Sequence, residues 1–269
     1  MKNFGSLFAF SLFFFLMGCC ASPAKSLQIS HVSHQDHRSD QIENVRRLKG
    51  LTVALTDLDP RNPWIRCSAV WVKRGFLLTA GHCINSHKLV TYETFDEDDG
   101  IHMAVVRAVD ETNDLALLAV DPTSEPIHDN VIFTDEIIEP GEDVHIMGHT
   151  AGYGWTYSKG YVSAVRIGMK GPLEAPVDKV VQISSPAWMG NSGGGAFDSD
   201  GHFIGTCSWV STSGPFLTFF IHKDIISKFE SQLKTDYEFE LQEKSYLPYS
   251  FGSGFAAYRI KGNIFRVSF

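Results

Sequence analysis

The sequence carries no excess of positive charge, and this excludes one large class of partners. Lys and Arg together number 23 against 31 Asp and Glu, so the formal net charge is −8 at pH 7. Proteins that bind phosphate backbones need a basic surface, and we therefore expect no nucleic-acid partner. The composition is otherwise that of a globular protein, with 43% hydrophobic and 20% charged residues in a chain of 269. This length suits one large all-β domain or two smaller ones.

The sequence also lacks an N-terminal apolar run long enough to cross a bilayer. The stretch from Phe4 to Met17 is short and follows Lys2, a pattern typical of a secretory signal peptide. Leu16-Met17-Gly18-Cys19 resembles a bacterial lipobox, in which Cys19 would be lipidated; ordinary cleavage near Ala24 is the alternative. We expect an exported protein, either a periplasmic or cell-surface lipoprotein or a secreted one. It would contact a membrane only through such a lipid anchor.

Solenoid-type repeats are absent as well, and composition divides the chain. Residues 1–24 form the signal or lipobox segment, and the polar residues 25–48 predict a flexible linker. Short apolar runs separated by turn residues then predict antiparallel strands in two series. The first series is 51–55, 67–72, 76–79, 88–92, 103–109 and 115–120. The second is 131–133, 144–147, 160–166, 180–184, 195–198, 203–209 and 217–221.

The segment from Pro122 to Pro126 separates the two series and predicts a boundary between β-domains at 49–121 and 122–234. Apolar residues recur with helical period at Ile225, Ile226 and Phe229, which predicts a helix over 223–233. The tail, 235–269, predicts an extension with a β-hairpin around Lys261-Gly262-Asn263.

One small-residue stretch, Gly190-Asn191-Ser192-Gly193-Gly194-Gly195, has the composition of a nucleophile turn. Glycines let the backbone approach a substrate closely, and backbone N–H groups at such a turn can hold a developing oxyanion. The Ser192 hydroxyl needs a base to become nucleophilic.

Two further stretches supply a base and a carboxylate to orient it. Thr79-Ala80-Gly81-His82-Cys83 follows a predicted strand, and Asn113-Asp114-Leu115-Ala116-Leu117-Leu118 begins another. His82 could act as a general base near neutral pH, and Asp114 could fix its tautomer. Taken singly, such a histidine is usually structural and such an aspartate is usually a turn residue.

The three stretches, in the order His, Asp, Ser, resemble the motifs of trypsin-like serine proteases of the chymotrypsin fold. The resemblance runs from about Leu51 to Leu233. It implies an all-β fold of two antiparallel six-stranded barrels with the active site between them, plus a C-terminal helix. It also implies that Cys67 and Cys83, disulfide candidates in an oxidising compartment, pair to pin the histidine loop. Cys207 is left as a buried free thiol.

The resemblance assigns Ser192 as nucleophile, His82 as general base and acid, and Asp114 as the group that orients His82. The N–H groups of Gly190 and Ser192 would form the oxyanion hole, and neither a metal nor an organic cofactor is needed. Substrate-binding positions follow from the same motifs. They are Pro186, Trp188, Met189, Ser208, Trp209 and Val210.

Several residues differ from the motifs of the animal enzymes, and they narrow the expected specificity and activation. Pro186 stands where trypsin-like specificity has an aspartate, so an apolar or small residue is the expected preference. Asn191 replaces the aspartate of zymogen-activated animal members, and we expect no such activation switch. Gly141-Glu142-Asp143-Val144-His145-Ile146-Met147-Gly148, followed by Gly160-Tyr161-Val162-Ser163-Ala164, resembles bacterial HtrA-type proteases. For His145 and His149, strand and loop roles are favoured over roles in the cleft.

The sequence therefore predicts a serine endopeptidase whose partners are protein or peptide substrates. The alternatives are an inactive protease-fold binding protein and an HtrA-like quality-control factor. All three triad positions are filled, which disfavours the first. A tail of 35 residues is too short for the peptide-binding domain of the second.

Overall fold

The computed structural model of the chain describes residues 34–56, 65–84, 89–95, 100–120, 129–171, 176–211, 216–237, 249–251, 255–260 and 263–268. The predicted signal or lipobox segment with Cys19 lies outside these residues, and so does the proline-bearing boundary segment.

The first barrel is built from the first series of predicted strands. These are β1 (Thr52–Thr56), β2 (Ile65–Lys73), β3 (Phe76–Ala80), β4 (Leu89–Glu93), β5 (Ile101–Asp110) and β6 (Leu115–Ala119). They close in the order β1-β2-β3-β6-β5-β4, and each neighbouring pair is antiparallel. Closure leaves no free sheet edge. Val53, Trp71, Leu77 and Leu118 fill the interior.

The second barrel repeats this topology. Its strands are β7 (Asp143–Gly148), β8 (Thr156–Lys170), β9 (Pro176–Ser184), β10 (Gly195–Phe197), β11 (Phe203–Val210) and β12 (Leu217–His222). They close in the order β10-β11-β12-β9-β8-β7, around an interior that contains Ile146, Val181, Ile183 and Phe220. The predicted pair of six-stranded barrels is confirmed.

A third apolar cluster joins the barrels. Val70, Leu78 and Leu117 of the first barrel pack in it with Met147 and Phe197 of the second. These side chains leave the outer faces of their strands, which explains why β3 is buried on both faces rather than alternating. The cluster fixes how the two barrels meet, and the site lies where they meet.

Two helices flank the barrels. Helix α1 (His34–Gly50) occupies much of the predicted linker, and helix α2 (Lys223–Tyr237) follows the second barrel as predicted. The sequence predicts a flexible linker here, whereas the structure has a helix, because residues of α1 pack against the barrels. Leu48 is fully buried in the cluster between the barrels, and the Arg47 guanidinium donates to the Gly201 carbonyl at 2.7 Å. None of the described helices is long and apolar enough to cross a membrane.

Two other segments complete the comparison with the sequence. Residues 131–133 form an isolated bridge, Phe133 to Phe203, rather than the predicted strand. The tail has three antiparallel strands, β13 (Tyr249–Phe251), β14 (Phe255–Ile260) and β15 (Asn263–Ser268).

Candidate active site

His82 and Asp114 are neighbours because of strand pairing in the first barrel. Strand β3 leads into the short 3₁₀ turn Gly81–Cys83, β6 begins just after Asp114, and Ala80 pairs with Leu115. The His82 Nδ1 atom lies 2.9 Å from Asp114 Oδ2 and 3.1 Å from Oδ1. An ionised carboxylate only accepts hydrogen bonds, so Nδ1 carries the proton and Nε2 is left as an acceptor. The ring is partly open to solvent, with 31% of its side chain exposed.

The Asp114 carboxylate is buried and held by three donors. Besides the His82 ring, the His82 backbone N–H donates to Oδ1 at 2.8 Å, and the Ser208 hydroxyl donates to Oδ2. The Asp114 carbonyl accepts from Gly81 N–H. Asp114 also has a left-handed backbone, with φ of 52°, a conformation that is uncommon for residues other than glycine and enriched in aspartate. Charge-assisted hydrogen bonds of this kind fix a carboxylate's orientation.

Ser192 lies in a tight turn between β9 and β10, pressed against the first barrel. Its carbonyl accepts from Ser68 N–H at 2.7 Å, and the next N–H, of Gly193, donates to the Cys207 carbonyl at 2.7 Å. Gly193 has φ of 85°, and a Cβ there would overlap the Ser68 carbonyl oxygen. Only glycine fits this position. Within the described residues Ser192 Oγ makes no hydrogen bond to His82, and such bonds often tighten only when substrate binds.

A disulfide connects the two sides of this arrangement. Cys67 precedes Ser68 and is joined to Cys83, which follows His82. Cys83 Sγ lies 3.8 Å from the Ser192 carbonyl oxygen. The histidine turn and the strand that anchors Ser192 are therefore tied at adjacent residues.

The backbone N–H groups predicted to form the oxyanion hole are free to bind a ligand. Neither Gly190 N–H nor Ser192 N–H donates to any residue in the part of the chain that the structure describes. Asn191 between them is buried, and its Oδ1 accepts from the Thr150 hydroxyl at 2.9 Å.

The predicted substrate-binding residues divide by exposure. Trp188 and Met189 are exposed, at 58% and 75% of their surfaces, whereas Trp209 stacks on Phe219 with ring centroids 4.9 Å apart. The Ser208 side chain points to Asp114 instead of a pocket. Pro186 is exposed and Val210 half-buried.

Other groups singled out in the sequence lie in different surroundings. His145 bonds to Tyr157 on β8, and burial lowers its pKa. His149, for which the sequence favours a loop role, lies in the loop after β7 and contacts Ser68, which donates to the Gly190 carbonyl. Nothing in the sequence pattern marks that contact, since its members come from three separate segments. Cys207 is a buried free thiol, and burial, with the Asp114 charge second, raises its pKa to about 12.

Among the described residues, one cluster of possible metal ligands lies away from the histidine turn. Asp198, Asp200 and His202, in the β10–β11 turn, bring ligand atoms within 4.8 Å of one another. Asp198 Oδ1 already accepts from the Asp200 and His202 N–H groups. The turn lies against α1 and not beside Ser192.

Comparison with known proteins shows that this chain is similar to peptidases. The family described as "Trypsin-like peptidase domain" matches residues 67–205. A relative from Marinomonas sp. (strain MWYL1), described as a probable periplasmic serine endoprotease DegP-like, is 30% identical over 166 residues, covering 60% of this chain and 34% of the relative. The chain thus spans about a third of the length of such curated relatives. They confirm the resemblance to bacterial HtrA-type proteases.

Solved structures agree in fold. The serine endoprotease from Yersinia pestis superposes with a TM-score of 0.59 at 22% identity, covering 79% of this chain and 71% of that one. Rv3671c from M. tuberculosis, a Ser343Ala mutant in an inactive form, gives 0.60 at 19% identity, covering 72% and 91%. At these identities the likeness concerns the fold alone.

Proposed function

This chain belongs to the family of trypsin-like peptidases, and from that premise we propose that it is a serine endopeptidase with Ser192, His82 and Asp114 as its triad. The observation that carries the proposal is the hydrogen bond from His82 Nδ1 to the buried Asp114 carboxylate. This bond leaves His82 Nε2 as the basic atom. The Ser192 turn lies in the same cleft.

The reaction follows from that protonation state. Ser192 Oγ attacks the scissile carbonyl carbon while His82 Nε2 takes its proton, and the imidazolium is stabilised by Asp114. The oxyanion accepts from the N–H groups of Gly190 and Ser192. His82 then gives the proton to the leaving amine as the C–N bond breaks. Water, deprotonated by the same nitrogen, hydrolyses the acyl-enzyme and restores Ser192.

The substrate would bind along the end of β11. Beyond Thr206, β11 no longer pairs with β10, while its other edge continues to pair with β12 as far as Val210. An extended peptide can add as a strand to such an edge. Trp188 and Met189 would offer apolar contacts at the rim, which supports a preference for an apolar or small residue.

Export belongs to the same proposal. Its support is the disulfide at the active site, which requires an oxidising compartment, and the relatives described as periplasmic. Lipidation at Cys19 rests on the sequence alone. Cell fractionation of the wild type and Cys19→Ala tests both points, because the variant of a lipoprotein would leave the membrane fraction.

Labelling with a fluorophosphonate tests the chemistry directly. The purified wild type should be labelled at Ser192, and His82→Ala should lose most labelling because Oγ is no longer activated. Ser199→Ala is the matched control, since Ser199 is an exposed turn serine. Equal labelling of the wild type and Ser192→Ala, or none of either, would refute the proposal.

Cleavage of a peptide library then defines the substrate. Cuts that depend on Ser192 and follow small or apolar residues are expected. Cuts confined to Lys or Arg sites would contradict the proposed pocket.

A further inference from the structure

Beneath the Gly190-Asn191-Ser192 turn lies a buried polar pair that the triad does not use. Ser68, on β2, and His149, after β7, are both fully buried. The Ser68 Oγ atom is 2.7 Å from the Gly190 carbonyl oxygen and 2.8 Å from His149 Nδ1. The His149 backbone N–H also donates to Oγ, at 3.1 Å.

These contacts determine the direction of every hydrogen bond. The Gly190 carbonyl can only accept, so the single Ser68 hydroxyl proton goes to it. The two remaining acceptor positions of Oγ then take the His149 N–H and Nδ1–H groups, which fills its capacity. His149 must therefore carry a proton on Nδ1, and burial, which lowers its pKa to about 3, leaves the ring neutral. Its ring packs edge-on against Trp155, with centroids 4.9 Å apart.

The Met189–Gly190 peptide group is held from the loop that contains His149. Ala151 N–H donates to the Met189 carbonyl at 2.7 Å. In a trans peptide the C=O and N–H bonds point in opposite directions, so this bond turns the Gly190 N–H away from Ala151. Ser68 likewise fixes the Gly190–Asn191 peptide, whose N–H donates to the Trp188 carbonyl at 3.1 Å.

The chain cannot easily relax around this arrangement. Gly190 has φ of 96°, and a Cβ at that position would overlap the His149 carbonyl oxygen. A Cβ at Gly148 would lie 2.6 Å from Asn191 Oδ1 and 3.2 Å from Ser68 Oγ. The loop and the turn are packed backbone against backbone, and within this packing Ser68, held in turn by His149, is the side chain that bonds to Gly190.

We propose that Ser68 and His149 are positioning residues that hold the Gly190 carbonyl and thereby keep the Gly190 N–H directed at the substrate's developing oxyanion. The inference rests on the proposed peptidase function and adds the support of the oxyanion hole to it. Neither residue touches substrate. Ser68 acts through the Gly190–Asn191 peptide, whose carbonyl it holds, and His149 acts through Ser68.

The first test compares variants that remove the hydrogen bonds. Ser68→Ala leaves the Gly190 carbonyl without its donor, and His149→Phe keeps a ring of similar size without a donor. Loss of one oxyanion donor typically lowers kcat by roughly 10²- to 10³-fold. Misdirecting one should lower kcat by about 10- to 100-fold with KM changed less than about threefold.

The second measurement separates positioning from general damage. A peptide boronate forms a tetrahedral adduct on Ser192 and uses the oxyanion hole, whereas the KM of a peptide substrate reports ground-state binding. The inhibition constant of the boronate should rise about 10- to 100-fold in both variants. His149→Asn, which can place an amide N–H near the Nδ1 position, should restore much of the affinity.

The control is Thr56→Val, which removes a buried hydroxyl that bonds to Thr91 elsewhere in the first barrel. It should leave kcat and the inhibition constant unchanged. All rates are normalised to the folded fraction from circular dichroism. Should Ser68→Ala not fold, the His149→Phe and His149→Asn pair still decides the outcome.

The outcomes distinguish the two proposals. An active wild type whose Ser68→Ala or His149→Phe variant keeps wild-type kcat and boronate affinity overturns the positioning role alone. Variants in which KM and the inhibition constant of the boronate rise by the same factor also overturn the positioning role alone. A wild type without Ser192-dependent cleavage overturns the proposed function, and the positioning role with it.

Discussion

The Ser208 hydroxyl, on β11 of the second barrel, donates a hydrogen bond to Asp114 Oδ2, at the mouth of β6 in the first. The carboxylate that bonds to His82 Nδ1 is thus held from both barrels. A change in how the barrels dock would reach the His82 ring through this bond.

Ser208→Ala should lower kcat/KM by about 10- to 100-fold. A hydrogen bond to a charged group contributes about 1.5–3 kcal/mol, and without it the carboxylate has one partner fewer to hold its orientation. Steady-state kinetics on a peptide substrate would measure the effect. Ser163→Ala, on the exposed face of β8, is the control, and equal kinetics for the two variants would contradict the role given to Ser208.

Asp114→Asn should lower kcat by about 10⁴-fold with little change in fold. An amide can donate to Nδ1, which would place the proton on Nε2 and leave no base facing Ser192. The exposed Asp135 provides the control variant, Asp135→Asn, which should behave as wild type. Retention of more than a tenth of the wild-type kcat by Asp114→Asn would rule out the orienting role.

Loss of the Cys67–Cys83 disulfide should lower the free energy of unfolding by about 3 kcal/mol, the value expected for a loop of its 16-residue separation. Urea unfolding with and without a reductant measures this. The double variant Cys67→Ala/Cys83→Ala should start less stable and be insensitive to reductant. Reductant-sensitive stability in the double variant would point to a different bond.

Acid should destabilise the protein partly through His149. Burial lowers the pKa of this histidine from 6.5 to about 3, so between these values the unfolded chain binds a proton that the folded chain excludes. The contribution of neutral His149 to the free energy of unfolding is complete above pH 6.5 and is lost as the pH falls toward 3. From pH 7 to pH 5 the free energy of unfolding should drop by about 2 kcal/mol more in the wild type than in His149→Phe. Parallel pH profiles would exclude this role.

Much of this molecule follows from short-range patterns in the sequence. Alternating apolar runs with turn residues between them predicted twelve of the barrel strands, because closed barrels bury one face of every strand. The proposed triad positions follow from three motifs, each only a few residues long. Helix α1 was missed because its residues have little helical amphipathicity, and its burial depends on partners such as Gly201 that lie far along the chain.

The support of Gly190 could not be read from the sequence for a related reason. Ser68 is an unremarkable serine beside a cysteine, and His149 is one of 11 histidines. Their proposed roles arise only when β2, the end of β7 and the Ser192 turn meet. A motif describes neighbours along the chain, whereas this pair is defined by neighbours across the barrel interface.

Among the residues that the structure describes, four other than glycine have left-handed backbones: Asp114, Ala151, Trp155 and Phe216. Each such conformation is unfavourable by roughly 1–3 kcal/mol and persists only where its surroundings impose it. The segments around the cleft therefore have no local tendency to recover their shape once their packing loosens. On heating, peptidase activity should disappear several degrees below the calorimetric transition, with the barrels still intact. Activity and heat capacity recorded on one temperature ramp would reveal that interval, in which the protein is folded but no longer competent.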